Sequence, residues 1–463
     1  RGGAVFFRRG FIPRPKGGLC MKRGALAALL AAAALLLPLS GCGDADDQIT
    51  VRYLNFKPEI AVHYEELARS YEQQTGVRVI VDTAANNTYE QTLAAKMATS
   101  EAPTLFQING PRGYAAWKDY CADLKDTQLY AHLTDKALAV TDGDAVVGLP
   151  YVVEGYGILY NERILSAYLA LPERSTTVAS VDDIRSFSVL SAVVRDMQAH
   201  AKELGIRGVF ASASLKAGED WRYQTHLPNV PLWYEWRKDG TQLTDGVPEI
   251  RLTYGSGFGA LFDLYLDNAV TDKKLLGSKT VADSMAEFAL GQCAMVQNGN
   301  WAWEQIAGVT GNTVRAEDLG FLPMFIGAPD EERQGLCIGT ENHYAINKKA
   351  SDEEQKAAAD FIWWLYSSTE GKKAVTEKLG FIAPFDTFGE TERPADPLAR
   401  EVLRWMDRDN TVNIPWVFTV FPSQTFKEDL GASLLKYAQG GKTWGEVEHD
   451  MIAGWKKESA AAG

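Results

Sequence analysis

Long apolar runs, cysteine and basic charge are what this 463-residue sequence has least of. Its longest stretch of consecutive apolar residues, Ala25 to Leu37, covers 13 positions, short of the ~20 that a membrane-spanning helix needs. Five cysteines are too few for a disulfide scaffold. The 47 Lys and Arg are outnumbered by 60 Asp and Glu, for a net charge of −13; a phosphate-backbone binder needs a basic face instead. The six histidines are scattered, with no H-E-x-x-H and no C-x-x-C, so neither zinc nor another metal or cofactor is expected. A G-x-S-x-G nucleophile motif is absent. Gly441-Lys442-Thr443 ends like a P-loop, but Lys436 stands where its first Gly belongs and a helical pattern precedes it, so no ATPase is expected here. Gly255 to Ala260 has the form G-x-G-x-x-A without a following acid-terminated strand, and reads as a tight helix start. What is there is 46% hydrophobic and 11% aromatic, a globular composition. The length suggests two or three domains.

The charge is unevenly placed. Residues 1–41 hold Arg1, Arg8, Arg9, Arg14, Lys16, Lys22 and Arg23 and no acid. From Met21 the order is a basic start (Lys22, Arg23), an Ala/Leu run, then Leu39-Ser40-Gly41-Cys42. This is a signal-peptide pattern, and L-S-G-C resembles a bacterial lipobox, which implies cleavage before Cys42 and acylation of its thiol. Residues 42–48 read as a polar tether. Residues 1–20 fit no signal peptide. Lys16-Gly17-Gly18 is encodable as a ribosome-binding site ahead of Met21, so 1–20 are expected to be translated upstream sequence. Without 1–41 the chain has 422 residues and 40 bases against 60 acids, near −20.

Strand and helix patterns then alternate. Ile49–Asn55 reads as a strand and Val62–Thr75 as a helix with Tyr64, Leu67, Ala68 and Tyr71 on one face. Gly76 stops it. Val77–Val81 reads as a buried strand, Tyr89–Thr99 as a helix and Thr104–Ile108 as a third strand. That order implies a parallel sheet with right-handed crossovers, and strand ends at Asn55 and Asn109 should open onto a crevice. Asp142-Gly143 marks a hairpin. Helices are expected near 181–204 and 257–269. Ser351 with Glu354, and Thr443 with Glu446, form capping boxes for helices through Tyr366 and to about Glu458. No repeat and no Pro- or Gly-rich linker separates lobes.

Four stretches carry a family resemblance. They are Tyr71-Glu72-Gln73-Gln74-Thr75-Gly76-Val77, Pro150 to Glu154 with Tyr160-Asn161, Gly291 to Trp303 (G-Q-C-A-M-V-Q-N-G-N-W-A-W), and Asn413-Ile414-Pro415. In that order they resemble the extracellular solute-binding proteins of ABC importers, in the sugar-binding group that includes maltose-binding protein. Thr104, where the family usually has Asp, and Asn300, where it has Pro, depart from the pattern. The resemblance implies an α/β, two-lobed periplasmic-binding-protein-like fold with a three-crossing hinge near 154, 339 and 385. Lobe 1 would be 49–153 with 339–385, and lobe 2 would be 154–338 with 386–463. It implies a monomeric, non-enzymatic, lipid-anchored protein on the extracytoplasmic face of the membrane. Its partners would be a small-molecule carbohydrate and permease subunits with a separate ATPase, with no nucleic acid.

A sugar offers C–H faces for aromatic planes and hydroxyls for charged acceptors. Trp301 in the third motif is the expected stacking platform, with Trp303 packed inside. Glu154 lies near a lobe crossing. Asn109 and Arg112 follow the third strand, where the family contacts ligand. Glu219 and Trp221 resemble the family's acid-plus-aromatic segment. Glu341 falls at a recrossing, Phe421 and Trp416 compete for an aromatic contact counted from N-I-P, and Lys57 matches a polar contact after the first strand. Cys121, Cys293 and Cys337 read as small buried hydrophobes, with room for one disulfide. A surface glycoside hydrolase using Glu154 and Glu219, about 5–9.5 Å apart, is the rival reading, and a peptide or polyamine ligand is another. Replacing Cys42 by Ser removes the acylated thiol, so the expressed variant should leave the detergent phase of a detergent–water partition in which the parent is retained.

Overall fold

The computed structural model describes residues 48–462 other than 85, 242, 244 and 245. The expected upstream segment, signal peptide, acylated Cys42 and most of the tether lie outside the described residues. From Gln48 onward the chain is one compact unit built on two sheets. Its strands are β1 (Thr50–Asn55), β2 (Arg78–Thr83), β3 (Leu105–Asn109), β4 (Val140–Asp142), β5 (Ala145–Pro150), β6 (Glu154–Asn161), β7 (Met295–Gly299), β8 (Leu319–Leu322), β9 (Gln334–Gly339), β10 (Asn342–Ile346) and β11 (Val412–Ile414).

The first sheet has the order β2-β1-β3-β10-β5-β4. Helix Ala61–Thr75 joins β1 to β2, and helix Asn86–Met97 joins β2 to β3; β1 runs parallel to both strands. The first of these helices buries the four residues that its period places on one face, Tyr64, Leu67, Ala68 and Tyr71, and ends at Gly76 with φ +76°. Neighbouring residues in a strand serve opposite faces. Tyr53 and Leu105 join one core cluster with helix Asp352–Ser367, while Leu54 and Phe106 join another with Tyr89 and Leu93. Three of the tyrosine hydroxyls buried in the first cluster are linked in a chain. Tyr64 reaches Tyr344 at 3.1 Å, Tyr344 reaches Tyr366 at 3.4 Å, and Tyr366 donates to the Tyr151 carbonyl at 2.7 Å.

The second sheet has the order β11-β9-β6-β7, with β8 also on β6. Chain passes from the first sheet to the second between β5 and β6 and returns between β9 and β10. It leaves again after Phe385 and Phe388, which pack in the first sheet's core, and before Leu398, which packs in the second's. Val153 at the first passage pairs with Ile382 before the third, its N–H donating to the Ile382 carbonyl at 2.8 Å.

Three expectations need correction. The strand expected to be buried at Val77–Val81 is β2, an edge strand with only Val79 fully buried; its apolar run follows from β-branched propensity, not from cover on both faces. The region near 181–204 is not one helix but the pieces Val181–Asp183, Phe187–Ala199 and Ala201–Leu204. The last helix, Trp444–Ala462, runs past Glu458 because the following alanines are the best helix formers. Both capping boxes form, and β4 and β5 make the hairpin with Gly143 at φ +57°. Cys121, Cys293 and Cys337 are free and buried.

Gly157 in β6 sits where a Cβ would fall 2.5 Å from the Leu322 carbonyl oxygen and 2.9 Å from Leu336 Cδ2. Backbone cannot yield as a side-chain tip does. Gly157→Ala is therefore expected to destabilise the fold by about 1–3 kcal/mol, read as a lower urea midpoint at unchanged slope.

Candidate ligand cleft

The end of β1 delivers Lys57 to the gap between the sheets. Asn55 fixes the turn: its Nδ2 donates to the Lys57 carbonyl at 2.8 Å and its Oδ1 accepts from the Lys57 N–H at 3.1 Å. The Phe56 N–H donates to Gln107 Oε1 at 2.6 Å. Held this way, Lys57 Nζ lies 2.7 Å from Glu154 Oε1 and 3.6 Å from Glu59. Both side chains of the closer pair are about nine-tenths buried. Burial by itself lowers a lysine pKa, but the carboxylates of Glu154 and Glu59 outweigh it and hold Lys57 above its ordinary value. Burial pushes the Glu154 carboxyl up, with Lys57 opposing.

Glu154 opens β6, and the next residue anchors the opposite wall. The Gly155 N–H donates to Asn300 Oδ1 at 2.8 Å, so Asn300 ties the Trp301 loop to β6. Trp301 follows β7 and folds back over Gly299, where any Cβ would collide with its ring. Around Trp301 stand Trp221 at 6.0 Å, His226 at 5.5 Å and Trp416 at 6.3 Å between ring centroids. His226 in turn stacks on Tyr156 at 4.2 Å and 12°. The segment Arg222–His226 is a π-helical turn, a form that recurs at functional sites. It presents Trp221 and His226 to the same space. Burial drives the His226 pKa well below its ordinary value, with Lys427 and Arg222 adding to the effect, so the ring is neutral. Trp416 spends its Nε1–H on the Cys337 carbonyl at 3.1 Å and offers only its ring.

These groups enclose a cleft of about 250 Å³, lined by Lys57, Glu59, Glu154, Glu219, Trp221, His226, Trp301, Glu341 and Trp416 among others. A recess of about 30 Å³ continues it toward Glu304 and Asp396. A larger groove of about 820 Å³, lined by Tyr160, Arg333 and Arg404, holds none of the expected residues.

Seven expected residues thus share one lining: Lys57, Glu154, Glu219, Trp221, Trp301, Glu341 and Trp416. Asn109 stands behind it, its Nδ2 donating to Glu341 Oε1 at 2.6 Å. Arg112 is outside the lining, with its head group beside Gly246. Phe421 is outside as well. It is 2% exposed and packs on Trp455 and Phe426 at 5.2 and 5.9 Å, because the turn Val417–Val420 aims it into the core; of the two competitors, Trp416 reaches the cleft. Trp303 packs against the core under the second sheet. Of the proposed carboxylate pair for hydrolysis, Glu154 is engaged by Lys57, and Glu219 accepts from the Val281 N–H at 3.1 Å. Glu59 and His226 were not foreseen. Glu59 follows Lys57 by two residues, and His226 ends the run that Trp221 begins; neither spacing carries a recognisable pattern.

Two sheets flanked by helices, joined by three passages of chain and facing each other across rings and carboxylates, define a two-lobed α/β solute-binding fold. Residues 66–400 match the family described as bacterial extracellular solute-binding protein, and the chain belongs to that family, which places it outside the cytoplasm. No curated protein sequence matches it. Solved structures share the fold at low identity. A chitin oligosaccharide binding protein is 18% identical with a TM-score of 0.67, covering 89% of this chain and 98% of its own. A Bacillus licheniformis sugar transporter in complex with stachyose is 16% identical at 0.64, covering 89% and 100%. Maltose-bound MalE3 of T. maritima is 18% identical at 0.64, covering 88% and 99%. Among the described residues no helix is long and apolar enough to cross a membrane.

Asp396, at the recess, has its pKa pushed up to about 7 by burial, against hydrogen bonds from the Ala399 and Leu398 N–H groups. The folded chain then binds a proton more tightly than the unfolded one between about pH 4 and 7, so this group's contribution to stability falls as pH rises through that window. Asn keeps the helix cap. Asp396→Asn is expected to melt as the parent does near pH 4 and progressively higher than it up to pH 7, with a constant gain above, in paired thermal melts.

Proposed function

We propose that this protein is a carbohydrate-binding lipoprotein that captures an oligosaccharide between its lobes and presents it to the permease of an ABC importer. The observation that carries this reading is the composition of one cleft wall facing another. Trp221, Trp301 and Trp416 supply flat apolar faces, and Glu59, Glu154, Glu219 and Glu341 supply charged acceptors in the same 250 Å³. Sugar C–H faces and sugar hydroxyls need that pairing, and unpaired polar groups in a closed cleft are costly. The volume lies below the ~300 Å³ lower end of ordinary ligand pockets, which favours the short end of the oligosaccharide range.

The lobes in this reading are 49–153 with 339–385, and 154–338 with 386–463. Lys57 and Glu59 belong to one and Trp221, Trp301 and Trp416 to the other, so a ligand touching both favours the closed arrangement. Lipid on Cys42 holds the protein at the outer face of the membrane, as a monomer, and the energy of import comes from a separate ATPase. The binding family, and the engagement of Glu154 and Glu219 by other groups, favour capture without catalysis.

Calorimetry across a panel of mono- to tetrasaccharides tests the reading. At least one sugar should bind, and Trp301→Ala should weaken it by about 30-fold, the ~2 kcal/mol of a well-buried ring contact. Unchanged affinity removes Trp301 from the site, and sugar cleavage during long incubation replaces capture with hydrolysis.

A further inference from the structure

The cleft holds more negative charge than hydroxyl recognition needs. Four carboxylates line it, Glu59, Glu154, Glu219 and Glu341, against the single ammonium of Lys57. The recess adds Glu304. Lys57 is already engaged, at 2.7 Å to Glu154 and 3.6 Å to Glu59. Behind the lining stand two cations. Arg222 is buried and gives its terminal nitrogens to the Gln297 carbonyl and the Ser214 and Ser284 hydroxyls. Lys427 interacts with Glu341 and Glu90. Asp220 is a further buried acid beside them, so the two cations offset only part of the excess.

The other wall points the same way. His226 is 6% exposed and neutral, and its ring nitrogens have no hydrogen-bond partner among the described residues, although the residue lines the cleft. Its carbonyl is used by the Tyr156 hydroxyl at 3.2 Å, not its ring. An unprotonated ring nitrogen accepts a hydrogen bond and adds no positive charge. Trp221, Trp301 and Trp416 present indole faces, the aromatic surface that attracts a cation most strongly.

A neutral sugar satisfies the lone pairs of such a site but brings no charge to offset its excess. An ammonium group brings three donors and one positive charge, forms the stronger charge-assisted bonds with carboxylates, and is drawn to the indole faces. Burying carboxylates without compensation is expensive, and a cationic ligand supplies the compensation as the cleft closes over it. The tryptophan faces still call for a ring with an apolar C–H side. Both demands meet in a sugar whose hydroxyl is replaced by a free amine. Resting on the carbohydrate reading above, we infer that the cleft selects amino sugars bearing an unacetylated, protonated amine over their neutral parents.

Calorimetry at fixed ionic strength on the full mature chain separates the possibilities. The probes are glucosamine, galactosamine and the β-1,4 glucosamine disaccharide, each with its hydroxyl parent and its N-acetyl derivative, and spermidine as a cation without a sugar ring. At least one free-amine sugar should bind ten or more times tighter than both its parent and its acetylated form. Glu59 makes only the 3.6 Å contact to Lys57, so Glu59→Gln, with its melting temperature checked, should lower that ratio. If a neutral or acetylated sugar binds as tightly as its amine, the charge inference falls while the carbohydrate reading stands. If spermidine binds and no sugar does, both fall. If none of these probes binds, the amino-sugar inference falls, and the carbohydrate reading is left to the broader neutral panel.

Discussion

Lys57 and Glu154 are 97 residues apart in sequence and meet at 2.7 Å where the two sheets face each other. An ion pair this buried is costly to assemble, because each partner gives up water worth several kcal/mol, and breaking it by removing one partner costs more than the pair contributes. Its two anchors are therefore constrained. Lys57 depends on the Asn55 turn at the end of β1, and Glu154 depends on β6 beginning where it does, beside Gly339 of β9. Much of the cleft is disposed around that contact. The pair supplies the floor, Glu59 and Glu341 lie near enough to raise the Lys57 pKa, and Trp301 is carried on a loop tied to the residue after Glu154.

The same constraint explains why the polar and aromatic parts of the site come from different segments. Polar contacts need backbone that is fixed at both ends, and strand termini provide it: Lys57 after β1, Glu154 at the start of β6, Glu341 between β9 and β10. Rings need space to stand clear of the backbone. Trp301 gains it by folding back over Gly299, Trp416 lies over Gly339 where a side chain would collide with it, and Trp221 and His226 gain it from the widened π turn.

Much of this was legible beforehand because it is local. The face Tyr64, Leu67, Ala68 and Tyr71 follows from helical period alone, and the capping boxes from side chains that bond their own backbone. The motif carrying Trp301 and the acid opening β6 were legible as resemblance. What was not legible is non-local. β10, from residues 342–346, inserts antiparallel between β3 and β5, and a strand's partners leave no mark on its own sequence. Whether β2 lies at the centre or the edge of a sheet is likewise decided by its neighbours. Phe421 and Trp416 are five residues apart, and only the intervening turn decides which ring lines the cleft and which meets Trp455.

Asn300 draws these strands together. The motif of maltose-binding protein that this stretch resembles has Pro here, which lacks a side-chain acceptor and a backbone N–H. In the fold its Oδ1 receives the Gly155 N–H, a donor left over at the edge where β6 emerges from the passage between the sheets. A buried N–H without a partner is costly, so Pro at this position would require another acceptor for Gly155. The substitution joins a passage between lobes to the loop that carries the central ring of the cleft. One buried hydrogen bond thus fixes the start of β6 against the loop that places Trp301.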